Sequence, residues 1–197
     1  MPSLVVPFRG AEGKSRLELP TTAARAALVR AMLDDVVAAC VAVGRTFVVT
    51  PERGVVEGVT LVSDPRRGQG EAVRAGLDAA FAAGGPEPVL VVNADLPCVT
   101  PRDLFALAGA VPGGGLALVA AADGTTNALA FASIGLFAPV YGPGSAARFA
   151  ALAQSRLVGS PNLMDDVDTV ADLERLVGRL GPHTRSVFAA QREAAAA

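Results

Sequence analysis

The sequence predicts a single-domain α/β fold, a mainly parallel sheet with helices on both faces. Three observations predict it. Apolar strand-like runs alternate with helical patterns in the order β-α-β-β-α-β-α from the first residues onward. The run Val89-Leu90-Val91-Val92 is apolar at consecutive positions, as a strand covered on both faces requires. The chain has 197 residues, of which 51% are hydrophobic, enough for one buried core and too apolar for disorder.

Each element has its own local reason. Residues 3–8 form an apolar run that reads as a buried strand. Residues 22–43 read as a helix, with Leu28, Met32, Val36, Cys40 and Val43 at helical spacing and Arg30 and Asp34 able to pair outside. Residues 46–50 and 59–63 are short β-branched strands, and 70–83 is a second helix stopped by Gly84-Gly85-Pro86. Residues 88–93 hold the best strand. Thr100-Pro101 opens a helix, threonine as N-cap and proline at the first helical position. Residues 116–121 and 128–132 are strand candidates, and 145–154 and 170–179 helix candidates. One domain over residues 1–192 is expected, with 193–197 a frayed tail.

Bulk properties exclude several functions. The net charge is -2 with no basic stripe, which argues against nucleic acid. No apolar run reaches the roughly 18 residues of a membrane span, and Met1-Pro2-Ser3 lacks a signal's basic region, so a cytoplasmic protein is expected. Cys40 and Cys98 have no metal-site spacing with the lone His183, and packing explains them. Oligomeric state is not legible, which leaves a homodimer open.

In a sheet of this kind, ligands bind beyond the carboxyl ends of the strands. The loop after the first strand carries Arg9, Gly10, Gly13, Lys14 and Arg16. It is not a P-loop, because Phe8 stands where the first glycine is needed and Pro20 interrupts the helix that should follow. Its cations and backbone N–H groups could still hold a triphosphate. Asp95, in Asn93-Ala94-Asp95-Leu96-Pro97, follows the best strand and could present a carboxylate to a metal-bound nucleotide. Asp165-Asp166-Val167-Asp168-Thr169 crowds three acids into four positions. If the segment is extended, Asp166 and Asp168 share a side and could join Asp95 around Mg²⁺; the competing reading is helix capping by Asp168 or Thr169. Polar loops at Gly68-Gln69-Gly70, Thr125-Thr126-Asn127 and Gly142-Pro143-Gly144-Ser145 are further ligand-binding candidates, with ordinary turn chemistry as the alternative.

In this order the segments resemble the guanylyltransferases of coenzyme F-420 biosynthesis, which act on 2-phospho-L-lactate or phosphoenolpyruvate. The resemblance rests on Val-Pro-Phe followed by Gly13-Lys14-Ser15-Arg16-Leu17, on Ala94-Asp95-Leu96-Pro97, and on Thr126-Asn127-Ala128-Leu129. It continues through Gly142-Pro143-Gly144-Ser145 and Asp166-Val167-Asp168-Thr169 with the later Asp172-Leu173. It implies a nucleotidyltransferase fold, Rossmann-like and similar to the nucleotide-diphospho-sugar transferases. It also implies GTP as donor, Mg²⁺ as cofactor, pyrophosphate release and a small phosphorylated carboxylate as acceptor. By motif, Asp95, Asp166 and Asp168 would hold metal, and Lys14 and Arg16 would touch the GTP phosphates. Thr126, Asn127, Gly142 and Ser145 would hold the acceptor, while Arg9, Gly10, Gly13, Gly68 and Gly70 would border the nucleotide. The chain departs from the pattern at Arg148, where a histidine near this position is common, and at Gly70-Glu71-Ala72. Other readings are a transferase for a molybdenum-cofactor precursor or sugar phosphate, and a non-catalytic nucleotide-binding protein. The Ala/Arg-rich composition tilts the acceptor toward phosphoenolpyruvate, with 2-phospho-L-lactate and 3-phosphoglycerate as competitors.

Overall fold

A computed structural model describes every residue except 12, 13, 15, 55, 86 and 197. The strands are β1 (Ser3–Pro7), β2 (Arg45–Thr50), β3 (Thr60–Ser63), β4 (Val89–Val92), β5 (Leu116–Ala120), β6 (Thr126–Phe131) and β7 (Ser155–Leu157). The helices are α1 (Thr22–Val41), α2 (Gln69–Ala82), α3 (Pro101–Gly109), α4 (Ser145–Ala150), α5 (Pro161–Met164), α6 (Val170–Leu176) and α7 (Pro182–Ala196). One seven-stranded sheet runs in the order β3-β2-β1-β4-β6-β5-β7. Among the described residues, only β6 breaks the parallel sense, pairing antiparallel with both β4 and β5.

Strand residues alternate between two apolar layers, as a two-residue side-chain period demands. Leu4, Val6, Val48, Leu90 and Val92 face the larger core, which α1, α3, α6 and α7 cover. Val5, Phe47, Val49, Val89 and Val91 face the other, covered by α2 and α4 with the aromatic residues Phe131, Phe137 and Phe149. Burial on both sides explains why β1 and β4 carry no polar alternation.

Thr100 caps α3, as its sequence implies, and Asp103 completes a capping box. The helix expected over 145–154 is shorter, because the N–H of Leu116 bonds the Gln154 carbonyl and draws the chain into β7. The segment expected as a frayed tail is helical through Ala196, as the end of α7. Among the described residues, no helix is long and apolar enough to cross a membrane.

Candidate active site

The rim of the sheet collects the polar segments. The loops after β1, β3 and β4 leave from the carboxyl ends of parallel strands, and antiparallel β6 starts at the same edge with Thr126 and Asn127. They surround a cleft of about 410 Å³ lined by Arg9, Gly10, Lys14, Arg16, Asp64, Gln69, Asn93, Asp95 and Asp168. That volume suits a small organic ligand. An adjoining hollow beyond Gly10 reaches Glu52, Arg66 and Gly68.

The acidic centre assembles from two distant stretches. Asp95, Asp166 and Asp168 each bring one carboxylate oxygen to within 4.8 Å of the others. The N–H of Val167 donates to the Asp95 carbonyl at 3.0 Å, and buried Val167 locks the segment in place. The extended backbone sends Asp166 and Asp168 toward Asp95 and Asp165 the other way, to Arg175 at 2.9 Å and to Arg179. Helix capping explains a neighbour instead: Thr169 is the N-cap of α6, with Asp172 completing the capping box.

Lys14 lies between the acids. Its Nζ is 2.6 Å from Asp95 Oδ2 and 2.5 Å from Asp168 Oδ1, and exposed Arg16 reaches Asp168 at 3.2 Å. Burial disfavours the Lys14 charge, but the Asp95 charge and hydrogen bonds to Asp168 and Asp95 outweigh it and raise its pKa. Among the described residues no cation pairs with Asp166: burial, then the charge of Asp95, push its pKa up.

The donor set fits a divalent cation. Carboxylate oxygens are the ligands a hard ion such as Mg²⁺ prefers. Asp95 Oδ1 is buried without a hydrogen-bond partner, a costly state that a cation would relieve. Three acids facing one ammonium also leave excess negative charge.

Apart from Gln69, the remaining candidates are not among the residues that line the cleft. Asn127, 3% exposed, donates from Nδ2 to the Met164 carbonyl at 3.1 Å and lies 3.5 Å from Asp166 Oδ1. Thr126 and Ser145 are buried with their hydroxyls 3.0 Å apart, and the Ser145 N–H bonds the Gly142 carbonyl. Arg148, the departure from the expected histidine, donates to the carbonyls of Val140, Tyr141 and Pro143 and braces the glycine turn around Gly142. Gly68 borders the adjoining hollow, whereas Gly70 sits against Pro139, where a Cβ would come within 2.6 Å of its side chain. Gly13 lies outside the described residues. Gln69, in one of the candidate polar loops, lines the cleft and donates to Asn93 Oδ1 at 2.9 Å. Two rim residues escaped the sequence reading: Asp64 lines the cleft, and Glu52 holds the first loop. Their positions directly after β3 and β2 were the signal available.

Known proteins share this architecture. The solved structure of a Desulfovibrio desulfuricans G20 protein classed as a nucleotide-diphospho-sugar transferase is similar with a TM-score of 0.76, at 20% identity over 100% of this chain and 96% of that one. A nucleotidyl transferase from Methanothermobacter thermautotroptrophicus gives 0.61, at 20% identity over 89% and 95%. In sequence, the chain is 39% identical to the phosphoenolpyruvate guanylyltransferase of Nocardia farcinica, over 78% of this chain and 74% of that protein. It is 34% identical to the Streptomyces scabiei protein of the same name, over 96% of each. Residues 26–194 match the model of the MobA-like NTP transferase domain. A nucleotidyltransferase fold, an acid-lined cleft and relatives of this identity over most of their length place the chain in the phosphoenolpyruvate guanylyltransferase family of MobA-like NTP transferases.

Proposed function

We propose that this protein transfers GMP from GTP to the phosphate of a small phosphorylated carboxylic acid, with release of pyrophosphate, in coenzyme F-420 biosynthesis. Phosphoenolpyruvate is the favoured acceptor, because that substrate stands in the relatives' name; 2-phospho-L-lactate is the alternative. The observation that carries the reading is the convergence of Asp95, Asp166 and Asp168, two of them bridged by Lys14, at the edge of a cleft of about 410 Å³.

An acceptor phosphate oxygen attacks the α-phosphorus of GTP in line. A new P–O bond forms, the α–β bridging bond breaks, and pyrophosphate leaves with the electron pair. Ionised phosphate is already nucleophilic, so the site needs no general base, in keeping with the absence of histidine from the cleft lining. Mg²⁺, held by Asp95, Asp166 and Asp168, would supply charge neutralisation to the phosphates when bound. Lys14, Arg16 and Arg9 offset the charge that builds on the departing pyrophosphate. Gly10 and Gly68 let backbone approach the nucleotide. Thr126, Asn127, Gly142 and Ser145 hold the acceptor's carboxylate end. Two paired hydroxyls use one proton between them, which leaves the other of Thr126 and Ser145 able to donate.

Phosphoenolpyruvate, 2-phospho-L-lactate and 3-phosphoglycerate, supplied together with GTP and Mg²⁺ and followed by mass spectrometry, test the proposal. One guanylylated acid and an equal amount of pyrophosphate are expected. No product from any of the three, or a preference for CTP or ATP as donor, overturns it.

A further inference from the structure

We infer that Glu52 is a positioning residue for the nucleotide loop, fixing the turn 9–11 against the sheet rim through the Ala11 N–H and the Arg30 guanidinium. Glu52 sits directly after β2, outside every motif that marks the site. Both of its carboxylate oxygens are engaged. Oε1 accepts the N–H of Ala11 at 2.8 Å, and Oε2 meets Arg30 Nη2 at 2.6 Å. Arg30 comes from α1 and lies over the Phe8 ring, 5.8 Å from its centroid, so the anchor is tied to helix and strand at once.

The turn is shaped to receive this carboxylate. Gly10 has a φ of +99°, and a Cβ there would stand 2.6 Å from Glu52 Oε1. Glycine at this position serves both the backbone angle and the approach of the anchor. Lys14 and Arg16 follow the turn in sequence and pair with Asp95 and Asp168, so the anchored turn and those cations belong to one stretch of chain. A carboxylate that bonds one loop N–H and one helix cation acts through position rather than by touching the reacting atoms.

This inference rests on the reading of that loop as the holder of the triphosphate, and two readouts separate the two ideas. The first is tryptic cleavage after exposed Arg9 in the ligand-free protein, with folding checked by circular dichroism. Glu52→Ala should be cut faster than wild type, while Glu52→Gln, which keeps an acceptor for Ala11, should stay close to it. The second is steady-state kinetics. Glu52→Ala should raise the KM for GTP roughly tenfold, the scale of one lost charge-assisted hydrogen bond, with kcat and the acceptor KM nearly unchanged. Glu52→Gln should recover most of that loss. Equal cleavage rates in wild type and Glu52→Ala overturn the anchoring. Faster cleavage with an unchanged GTP KM overturns its link to the nucleotide. If wild type transfers no guanylyl group, the proposed function fails, and cleavage alone decides the role of Glu52. Should Glu52→Ala not fold, Arg30→Gln carries the same two measurements.

Discussion

The N–H of Val167 donates to the carbonyl of Asp95 at 3.0 Å, and this backbone bond sets the acidic centre. It places two distant stretches side by side, so that three carboxylates face one another whatever their side chains would prefer. Repulsion within the cluster is therefore built into the fold, and cations relieve it.

Substituting Asp95→Asn or Asp168→Asn keeps the shape and removes one charge. Each should lower turnover about a hundredfold or more, the scale of losing one preorganised electrostatic element. Steady-state rates at saturating Mg²⁺ decide the matter. Wild-type turnover in either variant would remove that residue from the proposed metal site.

Lys14 has two opposing effects, because its ammonium bridges Asp95 and Asp168 in the free protein. Lys14→Ala should impair GTP use by roughly tenfold to a hundredfold in kcat/KM, through loss of the proposed phosphate contact. It should also tighten binding of Mn²⁺ to the nucleotide-free protein, since the competing cation is gone. Calorimetry and kinetics on one preparation read both effects. An unchanged apparent affinity for GTP together with an unchanged rate rules out the phosphate role.

The sequence makes the centre legible because chemistry there is local. Asp95 follows a four-residue apolar strand, and Asp166 and Asp168 are spaced to share a side of extended chain. Anchors that act across the fold leave no such trace. Glu52 is a single acid in a loop, and its partners Ala11 and Arg30 are distant in sequence. Arg30, which helical spacing would pair with Asp34, reaches Glu52. Strand β7, Ser155-Arg156-Leu157, is exposed throughout and has no apolar alternation to betray it. The end of helix α7 from Glu193 reads as a tail because it is nearly all alanine, and Phe188 is the large residue that α7 gives to the core.

Helix α7 depends instead on Asp35. This buried side chain of α1 accepts the N–H of His183 at 3.0 Å and of Thr184 at 2.8 Å, capping α7 from another helix. Asp35→Ala should destabilise the protein by about 2–4 kcal/mol, from the buried Thr184 N–H and the part-buried His183 N–H left without an acceptor. Gly181→Ala should also destabilise it, because a Cβ there would lie 2.3 Å from the Asp35 carboxyl carbon. Urea midpoints within experimental error of wild type for both variants would refute the anchor.

Asp103 links the α3 cap to the segment that leads into the acidic loop. Its carboxylate accepts from Thr100 N at 3.0 Å, Ser160 Oγ at 2.8 Å and Asn162 Nδ2 at 3.1 Å. Burial alone would raise its pKa, but hydrogen bonds from Thr100, Asn162 and Ser160 outweigh burial and hold it below the ordinary carboxylate value. The unfolded chain therefore takes up this proton first as pH falls. The stability Asp103 contributes is fully present above the unfolded pKa, near about 4, and is lost as pH drops through the lower folded value. Asp103→Asn should be less stable than wild type at neutral pH, and the gap should close in acid. Urea midpoints for both proteins, from pH 7 down to the lowest pH at which both stay folded, check the sign. A gap that stays constant or widens toward low pH would show that the hydrogen bonds at Asp103 do not favour its ionised form.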